Sequence, residues 1–387
     1  MKDAPVDKLL PPNQVLGPEL ASSPPILIQY TKFKCGGVSL GLSWAHVLGD
    51  VFTTTEFWNL LEKVYGGYQL RKPLNLAHSL TKANSTQTMQ KIVEDPLSIK
   101  RVDRVEDHWN NSCKMKSFSI HVSASKLDQL QSKLGIQGPF ESLCIVIWRS
   151  ISRIRDGPDP QVVTICKKGE EKKEGLIGNT QVIGVVKVDY SISEVNPSQL
   201  EGLIKNEIID ERLKIDEAIE KEQGVSNVVV YGANLTFVNV EGADLYGFDW
   251  GGHKPRNVSY LIDGVGDAGT VLVLPAGPNE AEGKIVTLTL RKDEIMKLKN
   301  ELNSEWLVYG ANLTFVNVEG ADLYGFDWRG HKPRNVSYLI DGVGDAGAVL
   351  VLPAGPNEAE GKIVTLTLPE DEIMKLKNEL NSEWFIA

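Results

Sequence analysis

A histidine and an aspartate four positions apart are the strongest candidates for chemistry in this chain of 387 residues. His46 and Asp50 form an HxxxD motif between the apolar segment Val38–Trp44 and residues 52–64, whose apolar side chains recur at helical spacing. An imidazole titrates near neutral pH and can act as a general base. The motif therefore predicts an acid–base site at a strand-to-helix transition. The alternative is that Asp50 simply caps the helix and His46 is an ordinary loop residue.

Metal and dinucleotide sites find little support in the sequence. Cys35, Cys113, Cys144 and Cys166 form no CxxC pair, and the histidines outside the motif have no cysteine or carboxylate at ligand spacing. We therefore predict no metal site and no disulfide framework. Residues 264–269 read GVGDAG and fit the fingerprint GxGxxG, but a strand-like segment follows where the fingerprint needs a helix. We interpret this segment as a hairpin turn.

Charge and hydropathy narrow the partners and the location. The net charge is −10, with 41 basic and 51 acidic residues and no long basic run, which argues against a nucleic-acid partner. No apolar stretch reaches the roughly 18 residues of a membrane helix. The N-terminus is charged and interrupted by proline where a secretory signal would be apolar. We therefore predict a cytoplasmic protein without a transmembrane segment.

A long internal repeat occupies the C-terminal part of the chain. Residues 231–306 recur as residues 309–384, and only four of the 76 aligned positions differ. The differing pairs are Gly251 and Arg329, Thr270 and Ala348, Arg291 and Pro369, and Lys292 and Glu370. The first copy is predicted to form strands at residues 234–240, 257–262, 270–274 and 284–290, followed by a helix at residues 293–302. Such near-identity indicates a recent tandem duplication, with an artefact of gene assembly as the alternative.

Three further elements are predicted from periodicity before the repeat. Residues 26–33 and Val38–Trp44 should form a hairpin around Cys35-Gly36-Gly37. A helix should follow the HxxxD motif and end at Gly66-Gly67. The apolar residues between Leu203 and Leu213 predict one amphipathic helix with a solvated charged face.

The residues around the motif resemble the active-site segment of the BAHD, or HxxxD-type, plant acyltransferases. That segment is residues 33–50, FKCGGVSLGLSWAHVLGD. Further landmarks follow in the family's order, namely a strand and helix at residues 117–134, a long helix with Trp148, and a turn at Gly178-Asn179. Residues 247–251 read GFDWG in place of the family's DFGWG. This change, together with Val51 after the aspartate, is similar to the eceriferum/Glossy-type subgroup associated with very-long-chain fatty acid elongation for cuticular wax.

The resemblance implies an α/β fold of the two-domain chloramphenicol-acetyltransferase type, with mixed sheets and flanking helices. Residues 1–165 would be a shortened first domain, and residues 166–225 a crossover with the amphipathic helix. Residues 226–306 would be the second domain, and residues 307–387 a near-identical duplicate of residues 229–306. Only 45 residues precede His46, fewer than in the family, so the first domain is expected to be incomplete.

The resemblance also implies a reaction, the acyl-CoA-dependent transfer of an acyl group to a hydroxyl or amine acceptor. His46 would be the general base, and acyl-CoA would be a co-substrate with no permanently bound cofactor. Asp50 would orient the motif by pairing with a distant arginine, in whose place only Lys167 and Lys168 stand here. A loop near the CoA cleft would consist of Phe248, Asp249, Trp250 and Gly251.

Two other hypotheses stay open at this point. The first keeps the fold but not the catalysis, and makes the protein an accessory of a membrane-bound fatty acid elongase. Its partner would be the condensing enzyme at the surface of the endoplasmic reticulum, and its cleft would guide a long acyl chain. The altered GFDWG, the missing arginine and the short first domain favour it. The second hypothesis is an inactive paralogue, which the duplication and the shortening together suggest.

Overall fold

The structure, a computed structural model, describes residues 6–11, 24–69, 75–76, 95–102, 115–157, 159–169, 176–206, 208–221, 228–278, 280, 282–306, 314–317, 348–353, 362–367 and 376. Helices α1 to α6 cover, in chain order, Val51–Tyr65, Ala124–Leu134, Pro139–Ile154, Pro197–Asn206, Arg212–Lys221 and Lys292–Trp306. Strands β1 to β8 cover Ile26–Lys32, Val38–Trp44, Asn75–Leu76, Lys100–Arg101, Met115–Val122, Val162–Lys167, Leu176–Ile177 and Val182–Lys187. Strands β9 to β16 cover Ile209–Asp210, Val228–Val229, Leu235–Asn239, Thr270–Pro275, Lys284–Arg291, Thr314–Asn317, Ala348–Pro353 and Lys362–Thr367. Short 3₁₀ helices cover Val6–Leu9 and His46–Leu48.

A two-stranded hairpin precedes the HxxxD motif. Strands β1 and β2 pair antiparallel, from Ile26 opposite Trp44 to Lys32 opposite Val38. The turn closes through the N–H of Phe33, which donates to the carbonyl of Gly37 at 2.9 Å. Gly36 has a φ of +84°, a conformation that glycine adopts without steric cost. The predicted hairpin is confirmed, and its second strand leads directly to His46.

Helix α1 begins immediately after the motif. Its N-cap is Asp50, and Gly66 ends it, as the glycine pair predicted. Val51 and Phe52 are buried, whereas Tyr65 in the last turn is exposed. The first turn of α1 is therefore fixed in the core, which places the motif at the edge of that core.

A seven-stranded mixed sheet lies at the centre of the first part of the chain. Its order is β5-β13-β12-β11-β6-β8-β9. β11 runs parallel to its neighbours β6 and β12, and the other pairs are antiparallel. The central strands are continuous apolar runs buried on both faces, as expected for strands covered on both sides. The predicted mixed α/β fold is confirmed.

The long helix α3 is the most deeply buried helix of the described chain. Pro139 occupies its first turn, where a missing N–H costs nothing. Trp148 is fully buried, and its indole N–H donates to the carbonyl of Pro160 at 2.7 Å. The helix contacts α2, α4 and β11, so it links the sheet to the helices that cover it.

The predicted strand at residues 257–262 is wrong. These residues form no strand, and the strands before and after them, β11 and β12, pair directly with each other. The side chains of Tyr260 and Ile262 instead pack against a core cluster that consists of Val51, Phe52, Cys166, Val238, Val240, Ala243, Leu272 and Leu274. The apolar alternation that predicted a strand reflects this packing.

The single amphipathic helix predicted between Leu203 and Leu213 is also wrong. Helix α4 ends at Asn206 and α5 begins at Arg212, with the short strand β9 between them. β9 pairs antiparallel with β8, with Asp210 opposite Gly184. The backbone of this segment therefore extends the edge of the sheet, an outcome that helical periodicity does not reveal.

The glycine-rich segment at residues 264–269 leads into β12 at Thr270, so no helix follows it. The prediction that a strand follows this segment is therefore confirmed. The hairpin interpretation is wrong, because the strands before and after the segment, β11 and β12, are parallel. A parallel pair needs a crossover and cannot be joined by a tight turn.

The chain divides into two compact units, one of residues Val6–Glu301 and one of Met1–Pro5 with Leu302–Ala387. In the second unit, β14, β15 and β16 pair as β11, β12 and β13 do in the first, with the parallel pair Thr314 and Ala348 matching Thr236 and Thr270. The strands of the first unit's main sheet come from both sides of residues 165 and 225. The domain boundaries given above stay predictions.

Candidate functional site

His46 lies on the short 3₁₀ helix between β2 and α1 and is half-buried. Its Nε2 is 3.0 Å from the hydroxyl oxygen of Tyr231, and the two ring centroids are 5.0 Å apart. The backbone carbonyl of His46 accepts a hydrogen bond from Nδ2 of Asn179 at 2.9 Å. Both the main chain and the ring of the histidine are therefore held by residues distant in sequence.

Asp50 is buried, with 1% of its surface exposed, and its two oxygens have different tasks. Oδ1 accepts from the backbone N–H groups of Phe52 and Thr53, both at 3.0 Å, and so caps α1. Oδ2 accepts from the backbone N–H groups of Thr180 at 2.6 Å and Gln181 at 2.8 Å. The carboxylate therefore ties the start of α1 to the turn that follows Gly178-Asn179.

The ion pair expected for Asp50 is not formed by the described residues. Backbone amides take the place of a cation, and such charge-assisted bonds are among the stronger hydrogen bonds in proteins. Nζ of Lys168 instead donates to the carbonyl of Gly242 at 2.8 Å and lies 5.6 Å from the ring centroid of Phe52. The motif is thus organised without an arginine or lysine on its aspartate.

Gly49 lets the motif and the turn approach each other closely. A Cβ at this position would lie 2.7 Å from Cγ2 of Thr53 and 2.9 Å from the carbonyl oxygen of Gly178. The hydroxyl of Thr53 links the motif to the same turn, because it donates to the carbonyl of Gly178 at 2.6 Å. On the other side, the indole N–H of Trp44 donates to the carbonyl of Gly49 at 3.0 Å. A larger residue at position 49 would push His46 away from its partners.

Tyr231 is one of the site residues that sequence reasoning missed, together with Thr180 and Gln181. Besides contacting His46, its hydroxyl accepts a hydrogen bond from Nε2 of Gln181. Burial raises the pKa of Tyr231 well above its usual range, so the hydroxyl stays protonated across the physiological range. One feature of the sequence pointed to this tyrosine, namely the glycine-rich segment at residues 264–269, which binds the backbone of Tyr231.

The backbone around Tyr231 is fixed by that glycine-rich segment. The N–H of Gly266 donates to the carbonyl of Tyr231 at 2.8 Å, and the N–H of Ala268 donates to that of Gly232 at 3.1 Å. A Cβ on Gly232 would lie 2.5 Å from the nitrogen of Gly266, so only glycine permits this approach. The segment that fits the GxGxxG fingerprint therefore allows close backbone packing against Tyr231 and Gly232.

The predicted CoA loop has a packed part and an exposed part. Phe248 is buried and stacks on Trp58 at 5.1 Å, whereas Trp250 is 38% exposed and stacks on Tyr65 at 4.5 Å. Asp249 caps the turn by accepting from the N–H of Gly252 at 2.6 Å. Gly251 has a φ of +60° in that turn.

The described contacts join the HxxxD motif to residues 178–181 and to Tyr231, but not to the loop of residues 248–251. Across the described stretches, no group of three or more histidine, cysteine or acidic side chains is arranged to hold a metal ion. Within the same stretches, no helix is both long and apolar enough to cross a membrane.

Comparison with known proteins identifies the family. A model of the Transferase family matches residues 1–305, which end one residue before the first copy of the repeat does. The chain belongs to this family, the BAHD acyltransferases. Within the BAHD family it is similar to the eceriferum proteins, as the GFDWG segment predicted.

Two curated relatives of this BAHD chain come from Arabidopsis thaliana. It is 38% identical to Protein ECERIFERUM 26-like over 311 residues, which cover 79% of this chain and 71% of that protein. It is 35% identical to Protein ECERIFERUM 2 over 298 residues, which cover 76% of this chain and 68% of that protein. These identities confirm the eceriferum-like subgroup.

A solved structure supports the fold. The structure of TRI101 from F. sporotrichioides, complexed with coenzyme A and T-2, aligns with a TM-score of 0.57 at 14% identity. The alignment covers 78% of this chain and 74% of that one. Such a likeness confirms the acyltransferase-like fold of the BAHD chain.

Proposed function

We propose that this BAHD protein is an acyl-CoA-dependent acyltransferase that transfers an acyl group to a hydroxyl or amine acceptor, in very-long-chain fatty acid and cuticular wax metabolism. The supporting observation is the 3.0 Å contact between Nε2 of His46 and a hydroxyl oxygen, that of Tyr231. This is the distance at which a general base takes a proton from a hydroxyl. This contact supports a general-base role for His46.

The proposed reaction uses His46 twice. The acceptor oxygen or nitrogen attacks the thioester carbonyl of acyl-CoA while its proton moves to Nε2 of His46. When the carbon–sulfur bond breaks, the imidazolium returns that proton to the departing CoA thiolate. Asp50 takes no part in these transfers, because both of its oxygens are bound to backbone N–H groups. Its role in this proposal is to keep the loop that carries His46 in place.

His46→Ala tests this proposal directly. We expect acyl transfer to fall by about 10²- to 10⁴-fold, the usual contribution of a general base. The assay follows CoA thiol release from acyl-CoA esters of increasing chain length, with long-chain alcohols and amines as acceptors. His121→Ala is the matched control, because His121 lies half-exposed on β5 and pairs with Glu280, away from the motif. Equal rates for wild type and His46→Ala, with equal melting temperatures, would remove the base assignment.

A second candidate function is that of a non-catalytic accessory to a fatty acid elongase. Two observations favour it. The hydroxyl that contacts Nε2 of His46 belongs to the protein itself, and both oxygens of Asp50 are bound to backbone N–H groups. The motif could therefore persist for structural reasons alone. Its partner would be the condensing enzyme at the surface of the endoplasmic reticulum. Co-expression with such an enzyme in yeast tests it, because an accessory role predicts the same product chain lengths for wild type and His46→Ala.

The loop of Phe248, Asp249, Trp250 and Gly251 is retained in the proposal as the element near CoA. Two exposed cations next to the loop support this role. Lys254 and Arg256 follow the loop and are exposed, as cations that meet the phosphates of CoA would need to be. Phe248 is buried against Trp58, so its part is to anchor the loop.

A further inference from the structure

The hydrogen-bond pattern around Tyr231 determines which nitrogen of His46 carries a proton. Gln181 donates through Nε2 into the hydroxyl oxygen of Tyr231, so the hydroxyl proton is free to point at Nε2 of His46. If Nε2 carried the proton instead, both neighbours would donate to the same oxygen. The hydroxyl proton would then have no acceptor among the described residues, which is costly for a buried group. The network therefore assigns the imidazole an unprotonated Nε2 and a protonated Nδ1.

We propose that Tyr231 is a positioning residue of this site, whose hydroxyl keeps Nε2 of His46 unprotonated until the imidazole turns toward an acceptor. The catalytic part of this inference rests on the proposed acyl transfer. In neutral imidazole only the unprotonated nitrogen can act as a base. That nitrogen is the one that Tyr231 holds, so an acceptor must compete with Tyr231 for it.

The geometry makes the histidine, not the tyrosine, the moving partner. The backbone of Tyr231 and Gly232 is bound to Gly266 and Ala268, and its ring packs against the core cluster. His46 is half-buried on a short turn, and the hydrogen bonds that hold this turn go to its backbone. Rotation of the imidazole away from Tyr231 would therefore free Nε2 for an acceptor without disturbing the core. Tyr231 therefore binds Nε2 of His46 whenever no acceptor is present.

The tautomer can be measured without any turnover. The ¹⁵N chemical shifts of the histidine side chains, recorded at pH 8.5 on ¹⁵N-histidine-labelled protein, report which nitrogen of each ring carries the proton, and a His46→Gln variant identifies the His46 signals. We expect wild type to show an unprotonated Nε2 at His46. Tyr231→Phe, which removes only the hydroxyl, should shift His46 toward the form with a protonated Nε2. An unchanged His46 spectrum in Tyr231→Phe would overturn the proposal.

Tyr260→Phe is the matched control. Tyr260 packs against the same core cluster as Tyr231, but no described hydrogen bond links its hydroxyl to His46. The control should leave the His46 spectrum as in wild type. If it reproduces the effect of Tyr231→Phe, the cause is packing and not the hydroxyl, and the proposal fails.

Kinetics supply the second readout. Tyr231→Phe has two opposite effects on catalysis, because it removes a competitor for Nε2 but also moves the proton of the imidazole onto Nε2. The kcat/KM for the acceptor should therefore stay within about tenfold of wild type, since each effect is worth about one neutral hydrogen bond. A fall of kcat/KM by about a hundredfold or more would instead mean that Tyr231 passes the proton itself, and would overturn the positioning role. If wild type turns over no acyl-CoA at all, the proposed function fails, while the ¹⁵N spectra still decide the role of Tyr231.

Discussion

Asp50→Asn is the substitution whose effect follows most directly from the structure. The carboxylate accepts four backbone N–H groups, those of Phe52 and Thr53 on Oδ1 and those of Thr180 and Gln181 on Oδ2. An asparagine has only one acceptor oxygen, and its amide nitrogen carries two donors. Whichever way the amide is turned, its nitrogen faces two N–H groups. Either the cap of α1 or the link to the turn at residues 178–181 is lost.

The size of the loss can be worked from these bonds. Two backbone donors in a buried place are left without an acceptor, and each costs about 1–3 kcal/mol. The expected decrease in the free energy of unfolding is therefore about 2–6 kcal/mol. That is a large part of the roughly 5–15 kcal/mol that stabilises a domain. For a simple helix cap, asparagine would replace aspartate with almost no loss.

Urea denaturation, followed by far-UV circular dichroism, measures this difference. The matched control is Asp249→Asn, because Asp249 accepts a single backbone N–H, that of Gly252, and asparagine can accept it equally well. We expect the control to stay within about 0.5 kcal/mol of wild type. A comparably small change for Asp50→Asn would refute the reasoning, since it would mean that Oδ2 does not hold the turn.

Two further predictions concern the repeat and the cysteines. Deleting residues 307–387 should leave the melting temperature of the remaining chain nearly unchanged, because all strands of the main sheet lie before residue 302. The deletion should also improve solubility, because Val364 and Leu366 of β16 are 51% and 37% exposed, whereas the equivalent Val286 and Leu288 are fully buried. Unfolding of the shortened chain in a thermal melt would show that the two copies share a core. Iodoacetamide at pH 8 should modify the exposed Cys35 and spare the buried Cys166. Burial and the nearby Asp50 carboxylate raise the pKa of the Cys166 thiol to about 12, so the thiol stays protonated at pH 8. Equal labelling of the two cysteines in a peptide mass spectrum would contradict this.

Local elements of the fold could be predicted because their signals are local. The hairpin before His46 follows from two apolar strands around Cys35-Gly36-Gly37, and α1 follows from helical spacing bounded by Asp50 and Gly66. The segment at residues 257–262 shows the limit of such signals. Its apolar residues pack against the core, but the strands before and after it, β11 and β12, pair with each other and not with it. Whether an apolar segment becomes a strand depends on pairing partners that its own sequence does not contain.

The candidate site could be predicted only in part for the same reason. The HxxxD spacing points to His46 and Asp50, and the family resemblance to the Gly178-Asn179 turn. The partners that fix them lie much further away, with Tyr231 185 residues from His46 and Gln181 131 residues from Asp50. Expecting a cation on Asp50 followed the family pattern, yet two backbone N–H groups satisfy its Oδ2 here.

The repeat raises the question of which copy supplies the tyrosine, because Tyr309, Gly310 and Gly344 duplicate Tyr231, Gly232 and Gly266. The copies themselves do not settle it. Thr270 Oγ1 is buried without a hydrogen-bond partner among the described residues, and Ala348 in the second copy lacks that hydroxyl, which is a point in the second copy's favour.

Chain connectivity does settle it. From the end of α5 at Lys221, the connection to β11 at Leu235 is residues 222–234, whereas the connection to β14 at Thr314 would be residues 222–313. Closing about 92 residues instead of about 13 costs about 1.7 kcal/mol more in chain entropy, a factor of about 19. The first copy therefore takes the position beside β6, and its Tyr231 is the tyrosine that meets His46.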